Sequence, residues 1–148
     1  MRNRAECTWE GDLEGGRGLA RLRTGVGGDL PVSWASRTEA PRGETGKTGK
    51  TSPEELIAAA HASCYCMALS LVLAENGYGP GRFTVAATCA FEPGKGITTM
   101  ELEVRGQVPG LDEAAFAKLA ETAAKDVCPV SQALKGNVEL SLDARLEP

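Results

Sequence analysis

Polar and apolar residues alternate with a period of two in three stretches of the second half of the chain. Successive side chains on a strand point to opposite faces of a sheet, so this alternation predicts half-buried strands. The pattern is clearest near the C-terminus, where apolar positions alternate with Glu139, Ser141, Asp143 and Arg145. The predicted strands are 85–91, 100–105 and 138–146, and they indicate an antiparallel sheet.

The first third of the chain has shorter apolar runs separated by glycine-rich turns. Candidate strands are 7–10, 18–23 and 31–36, which would form an antiparallel meander. The segment 37–51 that follows is rich in Gly, Lys and Thr. That composition predicts a mobile loop.

The longest apolar segment runs from Leu56 to Ala74 and contains 19 residues without a formal charge. That length would suit a membrane-spanning helix. The segment is rich in alanine, however, and it is flanked by Glu54, Glu55 and Glu75 rather than by Lys or Arg. These features favour a helix buried in the core of a soluble protein, with no membrane partner.

Both ends of this helix carry capping residues. Ser52 precedes Pro53, and Glu55 follows three residues after the serine, which predicts a capping box with proline at the first helical position. Gly77 supplies the stop. A helix that is apolar on nearly every side and roughly 35 Å long is difficult for one small chain to cover. We therefore expect an obligate homodimer in which two such helices pack together.

A second helix is predicted to begin at Glu113, with Asp112 as its N-cap, and to end at Pro129. Proline disfavours the helical conformation in the residue before it but suits the first turn of a helix. We therefore expect Cys128 to be the N-cap of a short helix, 129–135. Together the elements predict an α+β fold, with antiparallel sheets wrapped around a long buried central helix, in a single domain over residues 1–148.

Charge and composition argue against a nucleic-acid-binding protein and against a secreted one. The 16 basic and 20 acidic residues are interspersed and give a net charge of -4, which does not favour nucleic acid as a partner. Residues 1–11 carry charges and no apolar run, so no secretory signal is visible. We expect a cytoplasmic protein.

Five cysteines, an odd number, argue against a disulfide framework in a reducing compartment. A redox-active cysteine has to be a thiolate, partly accessible, and backed by a second thiol that traps its sulfenic acid. Cys128 would gain from the helix dipole at its position, whereas Cys64 lies within a helix and would need a cation brought to it. For Cys7, Cys66 and Cys89 we expect packing as small hydrophobic residues.

Two other sites are suggested by short motifs and rejected on geometry or spacing. His61, Cys64 and Cys66 form H-x-x-C-x-C, but residues two apart on a helix point about 200° apart, so the cysteines cannot share one zinc ion. A metal site from His61, Cys64 and Cys128 remains as an alternative. The G-K-T-G-K-T run at 46–51 lacks the spacing of a phosphate-binding loop. His61 itself is expected to be a core or interface histidine without a catalytic role.

Two cysteine motifs carry a resemblance to a known family. Residues 52–64, S-P-E-E-L-I-A-A-A-H-A-S-C, and M-A-L-S at 67–70 resemble the central-helix motif of the OsmC and Ohr family of osmotically inducible and organic-hydroperoxide-resistance proteins. V-C-P-V-S-Q-A-L-K at 127–135 resembles the second-cysteine motif of that family. W-E-G-D at 9–12 and V-P-G-L-D at 108–112 extend the resemblance, which is closer to the OsmC branch than to Ohr.

The resemblance implies an intertwined α+β homodimer with active sites at the subunit interface and no metal or prosthetic group. Cys64 would attack the O–O bond of an organic hydroperoxide, release the alcohol and become a sulfenic acid. Cys128 would condense with that sulfenic acid to give a disulfide. An external dithiol, a lipoylated protein in related enzymes, would reduce the disulfide.

The family's activating arginine maps to Arg37 and its glutamate to Glu54, which would hold the guanidinium through a bidentate pair. The loop after Arg37 is longer than the family pattern, so Arg17, in G-G-R-G, is the alternative. Cys66 is a further departure, since the family commonly has a small residue there. Ten positions separate Glu54 from Cys64, about 15 Å along one helix, so the Arg and Glu that act on one Cys64 are expected to come from the other subunit.

The alternative to an enzyme is a non-catalytic dimer. Such a dimer would bind a hydrophobic ligand or sense redox change through reversible bonding of Cys64 with Cys128. It would oxidise at most once per site, whereas a peroxidase would turn over with a dithiol. A metal-binding protein is the third hypothesis.

Overall fold

The computed structural model describes residues 1–39 and 49–147, and the described chain forms two compact units, Met1–Leu56 and a second from Ile57 onward. The first unit contains strands β1 (Ala5–Glu10), β2 (Arg17–Leu22) and β3 (Leu30–Val32), helix α1 (Trp34–Thr38) and the start of α2 (Pro53–Glu75). The second contains the rest of α2, then β4 (Arg82–Glu92), β5 (Gly96–Gln107), α3 (Glu113–Thr122), a π-helical turn (Ala123–Val127), α4 (Pro129–Leu134) and β6 (Glu139–Leu146).

The first unit is built on the predicted antiparallel meander, with strand order β1-β2-β3. Gly18 lies opposite Trp9 in the register of β1 and β2. A Cβ atom at Gly18 would lie 2.9 Å from the Trp9 ring and 2.6 Å from Val32 Cγ2. Glycine at this position therefore lets the indole pack directly on the sheet backbone.

The prediction of a strand over 31–36 is wrong beyond Val32. Ser33 is the N-cap of α1: its Oγ accepts from Ser36 N at 3.1 Å, and Ser36 Oγ accepts from Ser33 N at 3.1 Å. The predicted loop 37–51 is also wrong at its start, because Arg37 and Thr38 belong to this helix. Residues 40–48 of that predicted loop lie outside the described part of the chain.

The second unit contains a mixed sheet with strand order β4-β5-β6. β4 and β5 pair antiparallel, as predicted, but β5 and β6 pair parallel, which corrects the all-antiparallel expectation. The helical segments between β5 and β6 return the chain to the end of the sheet at which β5 began, so β6 runs in the same direction. The predicted alternation is confirmed on β5, where Met100, Leu102 and Val104 are buried.

The capping signals of α2 are confirmed in part. Ser52 Oγ accepts from Glu55 N at 3.2 Å, and the chain leaves the helix through Gly77 at φ +80°. The Glu55 carboxylate does not complete the capping box but accepts from Thr51 Oγ1 at 2.6 Å. A neighbouring hydroxyl has therefore replaced the expected backbone partner.

Within a single chain α2 buries one face. Tyr65, Leu69 and Val72 are at most 2% exposed, while Met67 on the opposite face is 73% exposed. By length and composition α2 could cross a membrane, but the core helix of a soluble protein meets the same criterion. The buried face packs in the second unit, where Tyr65 Oη donates to Ala120 O of α3 at 2.8 Å.

Helix α3 begins as predicted and ends in a way the sequence did not suggest. Asp112 Oδ1 accepts from Ala115 N at 2.8 Å, and Phe116 lies fully buried against Gly106 of β5. The helix then widens into the π-helical turn, in which Cys128 N donates to Ala123 O at 2.8 Å. That turn and Pro129 make Cys128 the N-cap of α4, as predicted.

The N-cap of α3 can be tested by substitution. Asp112→Ala removes the acceptor for Ala115 N, and we expect it to lower the free energy of unfolding by about 1 kcal/mol. Asp112→Asn retains an acceptor oxygen and serves as the matched control. Urea unfolding followed by circular dichroism measures both, and equal losses in the two variants would contradict the capping role.

Candidate active site

The two cysteines of the predicted redox pair lie together in the second unit. Cys128 Sγ is 3.4 Å from Cys64 Sγ, and both are free thiols. Cys128 is fully buried at the start of α4, whereas Cys64 on α2 is partly exposed. A disulfide bond requires sulfur atoms about 2.05 Å apart, so a movement of about 1.4 Å would join them.

Burial raises the pKa of the Cys64 thiol, and the adjoining Cys128 raises it further. A hydrogen bond from the Val130 backbone acts in the opposite direction, because it stabilises the thiolate. No cation of residues 57–147 contributes to lowering this pKa. The surroundings of Cys64 within the second unit therefore disfavour its thiolate.

The predicted arginine and glutamate pair is formed in the first unit. Arg37 Nε donates to Glu54 Oε1 at 2.8 Å, and the Glu54 side chain is only 7% exposed. The second carboxylate oxygen of Glu54 is buried and has no hydrogen-bond partner in the described chain. The contact is thus made through one oxygen, and the prediction of a bidentate pair is wrong.

Local structure explains why Arg37 is held. The Ser33 cap starts α1 one turn before Arg37, and Ser36 Oγ donates to Thr51 O at 2.7 Å, next to the start of α2. The Arg37 guanidinium lies 5.9 Å from the centroid of the Trp34 ring, within the range of a cation–π contact. The same short helix therefore supplies both the arginine and the aromatic ring beside it.

Arg17, the alternative to Arg37, has different surroundings. It pairs with Glu10 directly across β1 and β2, at 3.2 Å, and its side chain is 82% exposed. Exposed ion pairs of this kind contribute little because solvent screens them. The pair of Arg37 with Glu54 is less exposed to solvent than the pair of Arg17 with Glu10.

A family model described as OsmC-like protein matches residues 45–143, which is more than half of the chain. The chain belongs to the OsmC-like family. It is 37% identical to peroxiredoxin OsmC of Escherichia coli K12, over 99% of this chain and 98% of the relative. An organic hydroperoxide resistance protein of Xanthomonas axonopodis is 33% identical over 62% of this chain and 65% of its own length.

Solved structures of the family have the same fold. The OsmC protein of Legionella pneumophila matches with a TM-score of 0.64 and 25% identity, over 98% of this chain and 97% of that one. The organic hydroperoxide resistance protein OhrB of Bacillus subtilis matches with a TM-score of 0.64 and 26% identity, over 97% and 98%. The α+β fold with a long central helix is therefore confirmed.

The remaining cysteines of this OsmC-like chain differ in exposure. Cys89 on β4 and Cys66 on α2 are partly buried, in line with packing, and burial raises the pKa of Cys66. Cys66 also lines a surface groove of about 800 Å³ together with Met67. Cys7 is exposed on β1, so the prediction that it packs as a buried residue is wrong.

The structure also shows a polar pair that the sequence reasoning missed. His61 Nε2 lies 2.7 Å from Ser131 Oγ, and both side chains are buried. His61 Nδ1 is buried without a hydrogen-bond partner in the part of the chain that the structure describes. The available signal was the spacing: His61 lies three residues from Cys64, and Ser131 three residues from Cys128, which places each on the same helix face as a cysteine.

The alternative metal site is not formed. In residues 1–39 and 49–147, no group of three or more His, Cys, Asp or Glu side chains is arranged to hold a metal ion. His61, Cys64 and Cys128 therefore do not constitute such a site.

His61 is the only histidine of the chain, and its burial gives a pH dependence that can be isolated. Burial lowers the pKa of His61 from its ordinary value of 6.5, so below that pH the unfolded chain binds the proton more readily than the folded one. We expect stability attributable to His61 to be complete above about pH 6.5 and to be lost as the pH falls, by at most about 1.4 kcal/mol per unit.

The comparison of wild type with His61→Gln isolates this effect, because the carboxylates that also titrate are common to both proteins. Glutamine retains an amide that can bond Ser131. Urea unfolding at intervals between pH 5 and 8 should show the wild type losing more stability than the variant below pH 6.5. Parallel profiles over this range would contradict the assignment.

Proposed function

We propose that this chain is a thiol-dependent peroxidase that reduces organic hydroperoxides to alcohols, and hydrogen peroxide more weakly, with Cys64 as the attacking thiol and Cys128 as the resolving one. The observation that carries the proposal is the 3.4 Å separation of the two sulfur atoms. Support also comes from relatives named peroxiredoxin OsmC and organic hydroperoxide resistance protein. Such an activity belongs to the antioxidant response to oxidative stress.

The reaction proceeds in three steps: attack on the peroxide, formation of the disulfide, and reduction of the disulfide. The Cys64 thiolate attacks one peroxide oxygen, the O–O bond breaks, and the alkoxide takes a proton to leave as alcohol while Cys64 becomes a sulfenic acid. The Cys128 thiol then displaces water from that sulfenic acid and forms the disulfide. An external dithiol of lipoyl type reduces the disulfide by exchange and restores both thiols. No metal or prosthetic group takes part.

Activation of Cys64 is assigned to Arg37 and Glu54 of the partner subunit. Within the second unit burial raises the pKa of Cys64, so the thiolate needs a nearby cation. Ten residues of one helix separate Glu54 from Cys64, about 15 Å along its axis, which argues against action within one chain. A guanidinium held by a sheltered carboxylate is suited to this role because its position and charge are maintained.

A homodimer fits the surface of α2. Met67 and Leu71 are 73% and 49% exposed on the face that the single chain leaves uncovered, and a second copy would bury them. We place the dimer in the cytoplasm, where lipoylated proteins and other dithiols are available as reductants. In this proposal residues 1–148 form a single domain in each subunit of the homodimer.

The proposed reaction predicts a specific pattern of turnover. With dihydrolipoamide as reductant, we expect the wild type to consume tert-butyl hydroperoxide faster than hydrogen peroxide. Cys64→Ser should lose activity by at least about 10³-fold because it lacks the nucleophile. Cys128→Ser should react with a first equivalent of peroxide at the wild-type rate and then turn over more slowly, since its sulfenic acid has only the external dithiol to reduce it. Absence of turnover in a folded wild type with free thiols would favour the ligand-binding or redox-sensing dimer instead.

Mixed dimers test whether activation occurs across the interface. A dimer of one Cys64→Ser chain and one Arg37→Ala chain retains one site with an intact cysteine and, from its partner, an intact arginine. We expect about half the wild-type activity from this mixed dimer and very little from either homodimer. Activity measured on dimers purified through two different affinity tags gives the answer.

Arg17→Ala is the matched control, because it also removes the arginine of an ion pair and should leave turnover within about twofold of wild type. An inactive mixed dimer would show that Arg37 acts within its own chain. A large loss in Arg17→Ala, with Arg37→Ala unaffected, would transfer the activating role to Arg17.

A further inference from the structure

The His61 and Ser131 hydrogen bond lies beside the cysteine pair in a regular arrangement. On α2, His61 precedes Cys64 by three residues, and on α4, Ser131 follows Cys128 by three residues. The two side-chain contacts, 2.7 Å and 3.4 Å long, therefore join the same two helices about one turn apart. The two contacts are adjacent, and the paired residues run in opposite directions along the two helices.

Helix α4 needs such contacts because it is short. It has six residues, and a helix of that length is not stable in isolation. Its N-cap, Cys128, makes no side-chain capping hydrogen bond. The position of the Cys128 sulfur therefore depends on how α4 is attached to its neighbours rather than on the helix itself.

The bond between His61 and Ser131 is well suited to hold α4 in place. Both side chains are at most 2% exposed, so water does not compete for the contact. A hydroxyl can both donate and accept, and the pair is consequently bonded in either neutral tautomer of the imidazole. Loss of either partner would leave a buried polar group unsatisfied, which is costlier than loss of an exposed hydrogen bond.

The position of Cys128 matters at one step of the proposed cycle. Once Cys64 is a sulfenic acid, it either condenses with Cys128 or meets a second peroxide and becomes a sulfinic acid, which ordinary thiols do not reduce. The first route is intramolecular, so its rate depends on how often the two sulfur atoms are held within reach. A small displacement of α4 would favour the irreversible route.

We infer that His61 and Ser131 are positioning residues for the resolving step, and that their hydrogen bond holds α4 so that Cys128 stays in reach of oxidised Cys64. This inference rests on the proposed peroxidase function. Neither residue exchanges a proton or touches the peroxide in this assignment. Together they set the effective concentration of one thiol at the other.

An equilibrium experiment tests the positioning without any peroxide. In a buffer of reduced and oxidised glutathione, the dithiol form of the protein and one oxidised glutathione give the Cys64–Cys128 disulfide and two reduced glutathiones. Peptide mapping by mass spectrometry reports the fraction of that disulfide. We expect Ser131→Ala to lower the effective concentration of the thiol pair about tenfold, and His61→Gln, which keeps a donor for Ser131, to lie within about threefold of wild type.

A kinetic experiment then tests the step itself. After mixing with tert-butyl hydroperoxide, Ser131→Ala should form the Cys64 sulfenic acid within about twofold of the wild-type rate, because the first step does not involve α4 movement. Disulfide formation should be about tenfold slower, and the sulfinic acid fraction in excess peroxide should rise in proportion.

Tyr65→Phe is the matched control for general destabilisation. It removes another buried hydrogen bond of α2, the one to Ala120 O at 2.8 Å, which is made to α3 and not to α4. We expect its effective concentration and resolving rate to stay within about twofold of wild type. If Ser131→Ala does not fold, His61→Leu can replace it, because this variant removes the same hydrogen bond from the α2 side. His61→Gln, which keeps a donor for Ser131, is then its control.

The outcomes separate the inference from the function on which it rests. Wild-type effective concentration and resolving rate in Ser131→Ala and His61→Leu would overturn the positioning role. An equal loss in Tyr65→Phe would also overturn it, since the effect would then be one of stability. If the wild type does not react with peroxide, the proposed function fails, while the glutathione equilibrium still decides whether the hydrogen bond positions the thiols.

Discussion

The packing of α4 against α2 is the contact on which the proposed chemistry of this protein depends. It places Cys128 Sγ 3.4 Å from Cys64 Sγ, although 64 residues separate the two cysteines along the chain. The buried face of α2 fixes one partner through Tyr65 and its neighbours, and the π-helical turn after α3 fixes the other. A redox pair requires this approach to be close without strain, because the bond between the sulfurs must form and break in every cycle.

The same burial that organises the two thiols raises the pKa of Cys64 and so disfavours its thiolate. Cys64 is partly exposed, and among residues 57–147 the backbone hydrogen bond of Val130 acts in the opposite direction, because it stabilises the thiolate. The proposed function divides two tasks between the units: the second unit orients the sulfur atoms, and the Arg37 and Glu54 pair of a first unit supplies the charge. Arg37 is suited to the proposed activating role because Glu54, with 7% of its side chain exposed, holds Nε of the guanidinium at 2.8 Å.

Local signals predicted the elements in which a single physical effect dominates. The alternation at 100–105 gave β5 correctly, because one face of that strand is buried on the core. Ser52, Gly77 and Asp112 marked helix ends correctly because caps satisfy backbone groups within a few residues. The prediction failed at 33–36, where two serines form a reciprocal cap in place of the usual serine and glutamate. It failed again for the direction of β6, which depends on the whole path from β5.

By itself the sequence determined the helix and strand periods, most of the caps, the class of chemistry open to two cysteines, and the family. These properties depend on residues near one another in the chain or on motifs that can be read directly. Only the tertiary structure decided the parallel pairing of β6, the single-oxygen contact of Arg37 with Glu54, and the hydrogen bond of His61 with Ser131. The last joins positions 70 residues apart, and such a contact results from how packed helices align, which no local pattern specifies.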